Sequence, residues 1–188
     1  MTAPAGPSAE APAKPPVLLF MHIPKTAGSS LRAALGSVYP DEQRLYLYPP
    51  ADLEGAVHPR DFGEVPLPRR RQLRFVMGHF SWGIHEAVPG PSQYVTMLRD
   101  PLDRVASLYY HYKHLTPAGQ EGPGAVDRAM VRDEGMSLED WIFGGERLAA
   151  DNGMVRQIVG GKAPRFGACP DSMLAEALQH ITRRFAAV

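Results

Sequence analysis

The amino-acid sequence predicts a three-layer α/β domain with a mostly parallel central sheet flanked by helices. Three observations carry that expectation. Residues 17–21, Val-Leu-Leu-Phe-Met, are an unbroken apolar run, as a strand buried on both faces requires. The chain then passes through a Pro/Gly/Ser loop into Leu31, Ala34 and Leu35 at helical spacing. The same order recurs downstream, where residues 94–98 read as a strand, Arg99-Asp100-Pro101 as a turn, and Leu102, Val105, Tyr109 and Tyr112 as the apolar stripe of a helix. Asp100 is placed to cap that helix and Pro101 to take its first position.

The other elements follow in order. Residues 1–16 hold prolines at positions 4, 7, 12, 15 and 16 and only Glu10 and Lys14 as charges, a composition expected to stay disordered. Residues 44–48 suit a weaker strand, the proline-rich stretch 49–72 mostly loop, and residues 73–77 a further strand. Residues 116–124, with prolines and three glycines, read as a mobile connection. Ser137-Leu138-Glu139-Asp140 has the form of a capping box, opening a short helix towards Trp141 and Phe143. Asp151 or Asn152 caps a helix that ends at Gly160-Gly161, and Asp171 or Ser172 caps one with Leu174, Ala177, Leu178 and Ile181 on one face. An apolar strand begins at Phe185, so residues 17–188 read as one domain, incomplete at its C-terminus.

Composition narrows the function. The chain of 188 residues carries 20 Lys+Arg against 20 Asp+Glu, so it has no general basic field for nucleic acid. Any anion must be held by a few placed groups. Cys169 is the single cysteine, which excludes an internal disulfide and a cysteine-based zinc cluster, and no bound metal is expected. The apolar run at residues 17–21 falls far short of the roughly 20 residues of a spanning helix, and no signal peptide is visible. The expectation is a soluble, cytoplasmic protein.

Two loops carry the chemistry. A loop that leaves a buried strand and opens a helix presents unpaired amide N–H groups at the positive end of the helix dipole, where phosphate or sulfate binds. Pro24-Lys25-Thr26-Ala27-Gly28-Ser29-Ser30 suits that role: Gly28 permits close approach of the backbone, Thr26, Ser29 and Ser30 bring hydroxyls, and Lys25 brings charge. The lysine precedes the glycine, so the G-x-x-x-x-G-K-[ST] order is absent, although the strand, loop and helix remain P-loop-like. An ordinary strand-to-helix turn is the bland alternative. The second loop offers Arg99, with Ser107 two turns into its helix, or else an Arg99 paired with Asp100 or Asp103. Both loops would face one crevice beyond the carboxyl ends of the strands.

Met21-His22-Ile23-Pro24-Lys25-Thr26-Ala27-Gly28-Ser29-Ser30-Leu31 resembles the 5′-phosphosulfate loop of sulfotransferases that use 3′-phosphoadenylyl sulfate (PAPS). The nearest branch is the carbohydrate one, which includes the heparan sulfate 2-O-sulfotransferases. Arg99-Asp100-Pro101-Leu102-Asp103-Arg104-Val105-Ala106-Ser107-Leu108-Tyr109-Tyr110 resembles that family's 3′-phosphate motif, in which the arginine and the serine bind the phosphate. Residues 151–160 are similar to a downstream family segment, so the resemblance runs through residues 17–188.

The resemblance implies transfer of a sulfuryl group from PAPS to a hydroxyl of a saccharide or other small molecule, without a metal. It implies that Lys25 stabilises the departing oxygen and that His79, in Gly78-His79-Phe80 after the third strand, is the general base. That branch tends to carry two histidines two residues apart; position 77 here is Met77, which keeps His85 and Glu86 in reserve. A P-loop-type nucleotide kinase and a non-catalytic nucleotide-binding module are the alternatives. His22 is expected to make a structural hydrogen bond, Arg156 to support the crevice or an ion pair, Arg69-Arg70-Arg71 to lie on a solvated loop, and at most one of Tyr109, Tyr110 and Tyr112 to reach the cleft.

Overall fold

The computed structural model describes residues 14–50, 52–115, 124–147, 150–160, 166–167 and 169–188. Strand β1 (Val17–Met21) leads into helix α1 (Gly28–Gly36), which returns to β2 (Arg44–Leu47). A 3₁₀ turn (Pro59–Glu64) and helix α2 (Leu67–Gln72) precede β3 (Phe75–Gly78), and another 3₁₀ turn (Ile84–Ala87) precedes β4 (Ser92–Thr96). Then come α3 (Pro101–His114), α4 (Ala125–Arg128) with a π-helical turn (Ala129–Asp133), α5 (Leu138–Phe143), α6 (Gly153–Val159), α7 (Asp171–Arg184) and β5 (Phe185–Ala187).

All five strands are parallel, in the order β2-β3-β1-β4-β5. The alternating side chains of β1 explain the continuous apolar run: one face meets helices α6 and α7, the other meets α1. Leu19 and Met21 pack with Val76, Ile158, Val159, Met173 and Ala177. Phe20 packs with Phe75 and Met77 on the opposite face, against Leu31 and Leu35. Helices α3 and α5 and the π-helical turn close a smaller core of Leu108, Tyr109, Tyr112, Val131 and Trp141. The predicted fold class is therefore the observed one.

Several boundaries and faces differ from expectation. The 49–72 stretch contains α2, because Pro66 and Pro68 sit at its cap and first turn, where a missing N–H costs nothing. Leu102 is 82% exposed, and the buried positions of α3 begin instead at Arg104, a polar residue that a search for apolar side chains passes over. On α7 the buried face is Met173 and Ala177, one position round from the exposed Leu174 and Leu178. The Arg69 guanidinium donates to the carbonyls of Asp41, Glu42 and Arg44, and Arg70 to those of Val65 and Ala87, so two of the three arginines brace the backbone. The expected tail and mobile connection lie, except for residues 14–16 and Gly124, outside the described residues. No helix among the described residues is long and apolar enough to cross a membrane.

The strand order sets the site. The chain leaves β1 towards β2 on one side, whereas β3 crosses over β1 to reach β4 on the other, and β4 proceeds outward to β5. Loops departing in opposite directions open a crevice at the carboxyl ends of β1 and β4.

Candidate functional site

The loop after β1 is held in an unusual backbone conformation. Lys25 (φ 70°) and Ala27 (φ 67°) are two of the three non-glycine residues with positive φ among the described residues; the third is Asn152, before α6. Each such residue costs on the order of 1 kcal/mol, and an alternation with ordinary residues turns successive amides towards a common concavity. The Thr26 hydroxyl donates to the Ile23 carbonyl at 2.8 Å and is buried, so it ties the loop together and is not aimed at a ligand as expected from sequence. Ser29 and Ser30 are exposed at the start of α1, and Pro24 is half-buried.

Gly28 also meets a packing requirement that the sequence did not signal. A Cβ there would lie 2.0 Å from the His22 ring, which is packed directly beneath the helix start. His22 is buried and its Nδ1 is 2.9 Å from the Tyr48 hydroxyl, so the expected structural hydrogen bond is present. Gly28→Ala is expected to displace this ring and destabilise the fold by about 1–3 kcal/mol, measurable as a lower denaturation midpoint.

Lys25, Arg99 and Ser107 line one cleft of about 490 Å³, together with Asp103, Tyr110, His111 and His114. Asp100 Oδ1 accepts from the N–H groups of Leu102 and Asp103, which fixes the start of α3 and so the placement of Arg99 before it. Arg99 forms no ion pair with Asp100 or Asp103, and neither Arg99 nor Lys25 has an acidic partner among the described residues. Burial lowers the Lys25 pKa, and the Arg99 charge lowers it further. His111 is likewise lowered by burial, then by Lys25 and Arg128. The cleft therefore concentrates positive charge that a bound anion would relieve.

At the end of the neighbouring strand, His79 lies beside His22, with ring centroids 4.7 Å apart, and beside Tyr48 at 4.6 Å. Gly78 makes this placement possible, because any side chain there would meet the Leu47 carbonyl at 1.8 Å, the same carbonyl that accepts from the His79 N–H at 2.9 Å. Burial, then His22 and Arg32, push the His79 pKa down to about 3; His22 is pushed down to about 4 by burial, then by Arg32 and Lys25. Both rings are neutral at pH 7. His79 Nε2 is buried without a hydrogen-bond partner among the described residues.

The reserve residues fall elsewhere. His85 Nδ1 is 2.9 Å from the Tyr94 hydroxyl and the ring packs on Trp82, while Glu86 is exposed on the same turn. Neither lines the Lys25 and Arg99 cleft, and His79 and His22 do not line it either. Arg156 pairs with Asp151, and of the three tyrosines on α3 only Tyr110 reaches the cleft, Tyr109 and Tyr112 being buried.

Sequence reasoning missed three contributors. His111 and His114 follow Ser107 at i+4 and i+7, a helical spacing that would have found them. Gln157 Nε2 donates to the carbonyls of His22 and Phe80 at 3.0 Å each, locking the loops after β1 and β3 together. No local pattern signals that contact.

Fold and site together define an α/β protein with an all-parallel sheet, a cationic cleft at its switch point and, outside the lining of that cleft, a pair of neutral histidines. No protein-family model matches the chain, and no curated protein matches it. Among the described residues no group of three or more His, Cys, Asp or Glu side chains is arranged to hold a metal ion.

Proposed function

We propose that the protein is a sulfotransferase that moves the sulfuryl group of PAPS to a hydroxyl acceptor. The single observation that carries the reading is that Lys25, from the loop after β1, and Arg99 and Ser107, from the second motif, border one cleft. Two stretches far apart in sequence, each resembling one end of the same cofactor site, meet where a nucleotide-sized ligand fits, since small-molecule sites run to roughly 300–1,000 Å³. Two cations without an acidic partner among the described residues, and a loop whose Lys25 and Ala27 have positive φ, suit a ligand with an anionic group at each end. PAPS, when bound, supplies an activated sulfuryl group on a phosphate that leaves readily.

In this reading Arg99 and Ser107 hold the 3′-phosphate, while Lys25 and the amides of residues 25–30 hold the phosphosulfate end. Tyr110, whose ring stacks with His114 at 6.1 Å, offers a flat apolar wall. Lys25 stabilises the charge that grows on the leaving oxygen, and His79 takes the acceptor proton. The saccharide nature of the acceptor rests on the resemblance alone.

Calorimetry tests the first half. Adenosine 3′,5′-bisphosphate should bind more tightly than ATP with magnesium; the reverse order would favour a kinase. Arg99→Ala should weaken that binding about 10–100-fold, the range for losing a hydrogen bond to a charged group. Unchanged affinity in Arg99→Ala would remove the assignment of the 3′-phosphate. Transfer of labelled sulfate from PAPS to a panel of hydroxyl acceptors tests the second half, and a bound but unreactive cofactor would point to a non-catalytic module.

A further inference from the structure

Asp52 lies in the turn after β2, outside every motif. Its Oδ2 is 3.9 Å from His79 Nδ1, and the two side chains are 22% and 28% exposed. The opposite ring nitrogen, Nε2, is buried and has no hydrogen-bond partner among the described residues. The two edges of the imidazole therefore meet different chemistry: a carboxylate near Nδ1, and no hydrogen-bond partner at Nε2 among the described residues.

A neutral imidazole carries one proton, and its place follows from these surroundings. On Nδ1 the N–H lies on the ring edge that faces the carboxylate, which at 3.9 Å is in electrostatic reach but beyond hydrogen-bond distance. On Nε2 it would be a buried donor with no acceptor, and the Nδ1 lone pair would face a negative charge. Both terms favour the proton on Nδ1. The remaining groups around the ring do not compete: His22 Nδ1 is engaged with the Tyr48 hydroxyl, and the guanidinium of Arg32 only donates. Burial raises the Asp52 pKa above the usual carboxylate value, and the Arg128 charge offsets part of that rise.

We propose that Asp52 is the positioning residue of His79, fixing the ring with Nδ1 protonated and reserving the Nε2 lone pair for the proton of the acceptor hydroxyl. This rests on the sulfuryl-transfer reading. In that reaction the acceptor O–H bond breaks and its proton passes to Nε2. The acceptor oxygen forms the new bond to sulfur, and the bond between sulfur and the 5′-phosphate oxygen breaks, leaving its electron pair on that oxygen. Asp52 stays ionised and stabilises the imidazolium as it forms. The packing that screens Nε2 from water has to give way to the acceptor hydroxyl.

Burial, then His22 and Arg32, make His79 a poor proton acceptor, with a pKa of about 3. A carboxylate that closes on Nδ1 as the proton arrives supplies the missing basicity.

The test compares Asp52→Asn and Asp52→Glu with the unsubstituted chain, after thermal melts show which variants fold. Nitrogen NMR of the ligand-free protein should find His79 as the Nδ1–H tautomer, with Asp52→Asn changing the tautomer ratio. In transfer assays Asp52→Asn should lose roughly 10–100-fold in kcat with KM for PAPS nearly unchanged, and Asp52→Glu should recover part of the loss. A tautomer ratio unaffected by Asp52→Asn overturns the pairing. Undiminished kcat in Asp52→Asn overturns the positioning role. A tautomer that responds in a protein unable to transfer sulfate leaves the pairing standing and overturns its catalytic use, which separates this failure from that of the functional reading.

Discussion

Replacing Lys25 with alanine is expected to lower the rate of sulfuryl transfer about 10²–10³-fold while weakening adenosine 3′,5′-bisphosphate binding by less than about tenfold. The asymmetry follows from how the charge is held. In the ligand-free protein the ammonium is disfavoured by burial and by Arg99 across the cleft. It has no acidic partner among the described residues. Negative charge arriving in the cleft offsets that penalty in proportion to its size and closeness, so the interaction is strongest when charge has built up on the departing oxygen. A ground-state anion whose far end is gripped by Arg99 and Ser107 benefits less. Equal losses in turnover and affinity would mean that Lys25 merely binds. The same reasoning predicts that the ligand-free Lys25→Ala protein melts at least as high as the parent, because a repulsive pair has been removed.

What the sequence disclosed of this arrangement was local. The apolar run of β1, the Asp100 cap and Pro101 at the first position of α3 are decided by residues within a few positions of one another, and the structure has each of them. From those two strand-to-helix units the parallel sheet and the shared crevice followed by topology. The loop itself was harder to read. The sequence pointed to Gly28 for close approach of the backbone to an anion; the left-handed residues are Lys25 and Ala27, and the ring of His22 beneath Gly28 also requires the glycine. That requirement comes from the side chain of the preceding strand, in a contact no propensity encodes.

The setting of the histidine pair was legible only in part. His79 was singled out by the family resemblance, but its setting is assembled from β1, β2, α1 and the turn at Asp52, segments separated by up to tens of residues. Gln157 joins the ends of β1 and β3 from α6, and Arg128 acts on Asp52 from α4. Such residues become visible only when the chain is folded, since a glutamine or an aspartate in a loop carries no spacing signal. His22, expected as a hydrogen-bonded structural residue, has that bond and also abuts the ring of His79.

Substituting His79 with alanine is expected to reduce transfer about 10²–10⁴-fold with adenosine 3′,5′-bisphosphate affinity unchanged, the range associated with losing a general base. The pH dependence gives the sharper measurement. A base works unprotonated, and this ring stays so down to about pH 3, so the acid limb of kcat/KM should lie well below the 6.5 of a free imidazole. Folding is linked to the same ring with a definite sign. The unfolded chain takes up a proton at His79 near pH 6.5, whereas the folded chain does so only near 3; the unfolded state therefore binds more protons between these values. Stability must fall as pH is lowered from about 6.5 towards 3, and His79→Ala should flatten that slope, leaving the part due to His22, whose pKa is about 4. An unchanged slope in His79→Ala would show that the ring is solvated and titrates normally. Full transfer activity in a variant whose slope does flatten would leave His79 buried and neutral but move the base to another residue.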